Sequence, residues 1–287
     1  MPEARPVAIV TGSSRGAGRG IAAALGGHGC TVYITGRSED AGDASVPGTI
    51  HATAAEVTAA GGQGIAVRVD HADDAQVAGL FERVRAEQGR IDILVNNACA
   101  IHDQLSAPGH FWEKPLALGN MIDVGIRSGF VASWHAAPSM VAQRRGLIVF
   151  TSAPGAMHYV FGPAYGAHKA GVDKMAHDMS VDLREANVAA LSIWMGSLAT
   201  ERLLAMIDEN PAKFGYLDGL LETPEFTGHV IWALYNDPEL MALSGQTVIG
   251  AEMGARYGLV DRGGRLPSSV RDTQAIAPRA FYPNIIR

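Results

Sequence analysis

Tyr165 and Lys169 stand four residues apart in a segment with helical spacing, so their side chains share one face. A phenol ordinarily ionises near pH 10, at about 10. A neighbouring ammonium favours the phenolate and lowers that value. Such a tyrosine is expected to give or take a proton near neutral pH, as a general acid–base group must. An isolated Tyr/Lys pair reads more readily as an exposed helical couple. Its place shortly after a strand ending at Ser152 favours chemistry. A second constellation is Thr11-Gly12-Ser13-Ser14-Arg15-Gly16-Ala17-Gly18, directly after the apolar run VAIV. Gly12 permits a tight turn, Gly16 lets a pyrophosphate approach the backbone, and Gly18 lets a helix pack on the strand. The N–H groups that open the helix then face the phosphates. The bland reading is an ordinary glycine-rich turn.

These residues need a frame, and the chain supplies one. Short apolar segments at 7–11, 31–35, 65–69, 91–95, 147–151 and 188–194 read as strands. Segments 17–28, 49–60, 73–88, 115–143 and 163–186 read as helices. Gly61 and Gly62 stop the second helix. Strands alternating with helices of this length imply βαβ units and a parallel sheet. The continuous apolar runs VAIV, IDILV and LIVF fit strands buried on both faces. The loop 38–47 is rich in Asp, Gly and Ser. Residues 201–222 have helical spacing interrupted by Pro211 and read as a mobile flap over the site. From about residue 263 the periodicity fades into an irregular tail. Nothing divides the 287 residues into two domains.

Composition narrows the class. The hydrophobic fraction is 47% and the charged fraction 18%, enough for a sizeable core. Net charge is −6 without a basic cluster, which argues against nucleic acid. No apolar stretch has the length of a membrane span. The first strand begins by Val7, leaving no room for a secretory signal. Two cysteines, Cys30 and Cys99, fit a reducing, cytoplasmic compartment rather than a disulfide framework. Ten histidines include no metal-ligand spacing; His102 and His110 share only a loop, and no metal is expected.

The spacing TGxxxGxG resembles the short-chain dehydrogenase/reductase family, and further motifs follow in its order. Asp70 follows the third strand, Asn96-Asn97-Ala98-Cys99 ends the fourth, and Ser152 precedes Tyr165 by thirteen residues. Tyr165-Gly166-Ala167-His168-Lys169 gives Tyr-x-x-x-Lys, and Met195-Gly196-Ser197-Leu198-Ala199-Thr200 stands where the family has Pro-Gly-x-x-x-Thr. The resemblance implies a single-domain Rossmann fold, a doubly wound parallel sheet of about seven strands with helices on both faces. It implies an oxidoreductase that moves a hydride between nicotinamide and a carbonyl or secondary alcohol. Ser152, Tyr165 and Lys169 would be catalytic, with Tyr165 as acid/base. Gly12, Ser14, Arg15, Gly16, Ala17, Gly18, Arg37, Asp70, His71, Asn97, Tyr165, Lys169, Leu198 and Thr200 would hold the cofactor. A homodimer or homotetramer is implied, built on helices 115–143 and 163–186.

At the end of the second strand an acidic residue would hold ribose hydroxyls, whereas arginine suits a 2′-phosphate. Here Thr35-Gly36-Arg37 ends the strand and Arg15 lies in the glycine-rich turn, so NADP(H) is expected over NAD(H). Glu39 and Asp40 lie close enough to blunt the preference. The family's further catalytic asparagine aligns with Gly125, where a kink is expected to persist and a water, Asp123 or backbone to substitute. Cys99 for glycine and Met195 for proline are milder departures. Phe111-Trp112-Glu113, Val124-Gly125-Ile126-Arg127 and Gly254-Ala255-Arg256-Tyr257-Gly258 resemble the dehydrogenase/reductase family member 1-like branch, in which glycine tends to stand at the asparagine position. His168 is expected to face away from Tyr165 and Lys169. His158 and Tyr159 read equally as pocket lining or loop packing, and Phe111-Trp112 reads as a packing anchor. Met195, Met206 and Phe214 read as core by default. A nucleotide-binding sensor or scaffold without turnover is the alternative function.

Overall fold

The computed structural model describes residues 5–42, 46–217, 219–282 and 284–286. Positions 43–45 of the loop 38–47, 218 of the flap segment, and 283 and 287 of the tail therefore lie outside the described residues. Seven parallel strands form one sheet in the order β3-β2-β1-β4-β5-β6-β7. The strands are β1 Val7–Val10, β2 Thr31–Gly36, β3 Gln63–Arg68, β4 Ile93–Asn96, β5 Gly146–Ser152, β6 Val188–Trp194 and β7 Thr247–Ile249. The third strand lies two residues earlier than its apolar run implies, because Gln63 to Arg68 pair in register with Thr31 to Gly36. Six of the strands match the apolar runs; β7 is too short to announce itself.

Side chains along a strand alternate between faces. Ala8 and Val10 accordingly join a core with Ile21, Leu25, Val57 and Val230. Val7 and Ile9 join another with Phe81, Val84, Ala132 and Val172. Helices α1 Gly16–Gly27 and α2 Ile50–Ala59 contribute to the first core. Helices α3 Asp74–Gln88, α4 Ser128–Gln143 and α5 Pro163–Leu183 contribute to the second. The caps are local chemistry. The Thr49 side chain accepts the Ala52 N–H at the start of α2, and Asp73 accepts those of Ala75 and Gln76 at the start of α3. Gly89, in the left-handed conformation at φ 69°, ends α3.

The long helix expected over 115–143 is broken. A 3₁₀ turn at Leu116–Gly119 is followed by a wide turn at Ile122–Arg127, and regular helix begins only at Ser128. Val124 and Gly125 leave helical geometry inside that turn, so the kink expected at Gly125 is present. The freed Val124 carbonyl accepts the Ala100 N–H at 2.9 Å, and the Gly125 N–H reaches the Ser128 hydroxyl at 3.0 Å. After β6 the chain forms α6 Glu201–Glu209 and α7 Pro211–Phe214, then α8 Pro224–Asn236. The tail keeps one further short helix, Val270–Gln274.

At the N-terminal ends of β1 and β4, the fully buried Asp92 carboxylate accepts the Val7 N–H, the Tyr235 hydroxyl and two N–H groups of Arg90. Breaking a buried, hydrogen-bonded ion pair leaves its partners uncompensated. Asp92→Ala is expected to destabilise the fold by about 3 kcal/mol. Chemical denaturation checks this, and a loss below about 1 kcal/mol would show that the network is dispensable.

Candidate active site

The strand order reverses between β1 and β4, and in open α/β sheets ligands bind at that point, outside the carboxyl ends of the strands. A cleft of about 1910 Å³ opens there. Gly12, Ser14, Arg15, Gly16, Ala17, Arg37, Asp70, His71, Asn97, Tyr165, Lys169, Leu198 and Thr200 all line it, so the expected cofactor residues converge on one surface. Two expected site residues stand apart. Gly18 is buried behind the turn: a Cβ there would lie 2.5 Å from both Asn97 Nδ2 and the Gly12 carbonyl. Ser152 is fully buried and does not line the cleft.

The glycine-rich turn is held from both sides. Ser13 donates its hydroxyl to the Val10 carbonyl at 2.7 Å and accepts the Thr35 N–H at 3.0 Å. The Asn97 amide donates to the carbonyls of Thr11 at 2.9 Å and Gly12 at 3.0 Å. Gly12 has φ 63°, and a Cβ on it would meet the Ala98 Cα at 2.7 Å. This cradle fits an anion. The Gly16 N–H, in the first turn of α1, donates to a carboxylate oxygen of Glu201 at 3.0 Å, so a negative group already stands at the helix N-terminus. Arg19 bridges the same Glu201 at 2.8 Å and Glu56 at 2.7 Å. The donor set therefore suits the phosphates of a dinucleotide.

At the outer end of the cleft Arg15 donates to the Ser38 hydroxyl at 2.8 Å and to the Gly48 carbonyl at 2.7 Å. Arg37 is well exposed and meets Asp70 only at 3.8 Å. Glu39 is engaged by Arg68 at 3.2 Å and lies 3.8 Å from His51. The Asp70 carboxylate accepts the Ala72 N–H at 3.0 Å. The His71 ring is buried, with Nε2 2.8 Å from the Thr35 hydroxyl, and burial pushes its pKa down to about 4. Thr200 caps α6 through the Leu203 N–H.

At the inner end, Lys169 is buried and its ammonium donates to the Thr151 carbonyl at 3.3 Å. Burial lowers its pKa. The ammonium lies 5.6 Å from the centroid of the Tyr165 ring. The expectation that this charge lowers the phenol pKa is reversed in the protein alone. Burial pushes Tyr165 upward, and Cys99 acts in the same direction. The Ser152 hydroxyl donates to the Lys169 carbonyl at 3.3 Å. Strand alternation explains its direction: Thr151 faces the cleft, so the next side chain points toward α5. Asp173, one turn beyond Lys169, accepts the Trp194 N–H at 2.9 Å, and burial raises its carboxyl pKa.

His168 does not face away from the pair. It is buried, with Nδ1 3.6 Å from the Cys99 sulfur, and a Cβ on Gly125 would lie 2.8 Å from its Nε2. Three residues is about 300° of helix, which returns His168 to within about 60° of Tyr165. His158 and Tyr159 are exposed and do not line the cleft. Phe111 and Trp112 are not a buried anchor: both are exposed and pack on each other, with Trp112 stacked on His110.

The family model for short chain dehydrogenase matches residues 6–211, and the chain belongs to the short-chain dehydrogenase/reductase family. It is 39% identical to human dehydrogenase/reductase SDR family member 1 over 274 residues, 90% of this chain and 84% of that one, which places it on that protein's branch. It is 30% identical to a 3-oxoacyl-[acyl-carrier-protein] reductase of Synechocystis sp. over 245 residues, 84% of this chain and 93% of the relative. A crystal structure from Xanthomonas campestris described as a dehydrogenase superposes with a TM-score of 0.76 at 26% identity, covering 98% of each chain. No helix among the described residues is long and apolar enough to cross a membrane.

Glu201 lines the cleft and Glu222 braces the flap beside it, and spacing alone reveals neither. Glu201 directly follows the motif threonine, Thr200. Glu222 closes the flap segment: its backbone bridges Leu198, and its side chain accepts the Gly196 N–H at 3.3 Å. The flap is thus fastened at both ends, and Arg202 ties it at 2.8 Å to Asp103 in the loop opposite. Burial pushes the Glu222 carboxyl up to about 7, helped by nearby Asp261. A carboxyl whose folded pKa is raised stays protonated in the fold while the unfolded chain has released its proton. Stability from this group is therefore present below its ordinary pKa and lost as pH rises through about 7. Glu222→Gln is expected to flatten the fall in melting temperature between about pH 4.5 and about 7. An unchanged slope would show that Glu222 is ionised in the fold.

Proposed function

We propose that this chain is an NADP(H)-dependent oxidoreductase acting on a carbonyl or secondary alcohol. The observation that carries the proposal is that Tyr165 and Lys169 line the same cleft as the glycine-rich turn, Arg15 and Arg37. A bound nicotinamide supplies the hydride. Tyr165 presents a phenol that burial keeps protonated, suited to delivering a proton to an oxygen that becomes an alkoxide. The buried Lys169 ammonium stabilises the phenolate left behind and holds cofactor ribose hydroxyls. Ser152 joins them by turning its hydroxyl from the Lys169 carbonyl toward the substrate oxygen. Asn97 fixes the turn that carries the phosphates.

Cys99, Ile101, Met121, Met195 and Leu198 line the inner cleft, so an apolar carbonyl fits best. Phe130, Trp134 and Val141 are exposed on α4, and we assign that helix, with α5, to a homodimer or homotetramer contact. The two free cysteines accord with a cytoplasmic setting.

One observation favours a second reading, a nucleotide-binding sensor without turnover: the Ser152 hydroxyl is turned inward. Turnover separates the two. Tyr165→Phe is expected to lower kcat for carbonyl reduction by at least about 100-fold while NADPH still binds. Full activity in the variant would refute the acid–base assignment, and no wild-type turnover on a broad carbonyl panel would favour the sensor. Charge-assisted contacts to phosphate are the strong ones. Arg37→Ala should therefore weaken NADPH binding about tenfold and leave NADH within about twofold. Equal losses for the two nucleotides in fluorescence titration would contradict an arginine-held 2′-phosphate.

A further inference from the structure

The break at Gly125 leaves a gap behind the reacting pair, and one side chain fills it. The His168 ring is 3% exposed. A Cβ on Gly125 would lie 2.8 Å from Nε2 and 2.9 Å from Cδ2, so the ring occupies the volume that a side chain at position 125 would enter. Its other nitrogen lies 3.6 Å from the Cys99 sulfur. Cys99 and Tyr165 both pack against the cluster of Leu105, Leu118 and Met121. The ring is therefore wedged between the kinked segment and the wall that supports the phenol.

We propose that His168 is a positioning residue for Tyr165 and Lys169, a wedge that fills the volume at Gly125 and keeps water from the inner side of the pair. This deepens the oxidoreductase reading and rests on it. The chemistry favours a neutral ring. Burial and the adjacent Lys169 ammonium push its pKa down to about 3, so it carries no charge at working pH and does not repel the ammonium. The titratable groups that act on the ring are Cys99 in the loop after β4, at 3.6 Å, and the adjacent Lys169 in α5. Burial holds the Cys99 thiol protonated, so it is a neutral neighbour as well. The consequence follows from what shifts the phenol. Its pKa is raised mainly by burial. Water entering the gap relieves that penalty, and the phenol then loses its proton at lower pH.

The test is His168→Ala, with His168→Gln as a milder variant, in carbonyl reduction with NADPH. His168→Ala should lower kcat about tenfold with KM changed less than about twofold. The alkaline limb of its kcat–pH profile should move down by about one pH unit. Millimolar imidazole should restore kcat and profile by refilling the gap, as small ligands fill engineered cavities. His168→Gln should fall between wild type and alanine on both measures. NADPH fluorescence titration and thermal melting confirm that each variant is folded and binds nucleotide. Wild-type kcat and profile in His168→Ala would overturn the inference. So would a lower kcat with an unmoved profile and no response to imidazole, which marks ordinary packing. Absence of turnover by the wild type would instead remove the oxidoreductase reading and this inference with it.

Discussion

One carboxamide holds the cleft in shape. Asn97 sits at the end of β4, and its amide donates to the carbonyls of Thr11 and Gly12 at the end of β1. These two strands are where the sheet order reverses. Thr11 completes the stitch, its hydroxyl accepting the Asn97 and Ala98 N–H groups. With the turn pinned there, α1 begins close enough to the sheet that Gly18 has no room for a Cβ. The N–H groups of α1 then face the cleft. Everything that could hold a dinucleotide depends on that short set of bonds between two adjacent parallel strands.

The two ends of the cleft follow opposite electrostatic rules. The outer end is wet. Arg37 is largely exposed, and its 3.8 Å approach to Asp70 is a weak surface pair that leaves the guanidinium free to bind an anion. The inner end is more enclosed, with Lys169 buried and Tyr165 half-buried. Burial pushes the Tyr165 phenol up and the Lys169 ammonium down, each toward its neutral form. A pair that resists charge in this way gains most from substrate charge appearing beside it, since interactions are stronger where water is excluded. The His168 ring stands beside that end, between Gly125 and Cys99.

Much of this was legible in the residues. The parallel sheet follows from apolar runs separated by helical periods, and the cleft from the glycine-rich turn and the Tyr-x-x-x-Lys spacing. Three features were not legible, for different reasons. A kink at Gly125 is expected from the sequence, but its extent, with regular helix beginning only at Ser128, depends on the Val124 carbonyl turning to Ala100, a partner more than 20 residues away. The direction of Ser152 depends on which face of β5 Thr151 takes, which the motif interval does not encode. The placement of His168 is hidden because its sequence position between Tyr165 and Lys169 says nothing about the space opposite, at Gly125. Only the missing side chain at Gly125 explains why an imidazole is buried there. Glu201 shows a related limit: a carboxylate at a phosphate cradle is visible only once the cradle is folded.

The central claim is that this cleft moves a hydride to a carbonyl carbon while Tyr165 supplies the proton. The most direct measurement uses NADPH labelled with deuterium at nicotinamide C4, followed by mass spectrometry of the alcohol formed from an apolar ketone. The account predicts one deuterium at the carbinol carbon when the label is on one face of the ring and none when it is on the other. Alcohol formed without label from either face, or nucleotide bound with no alcohol formed at all, would contradict it.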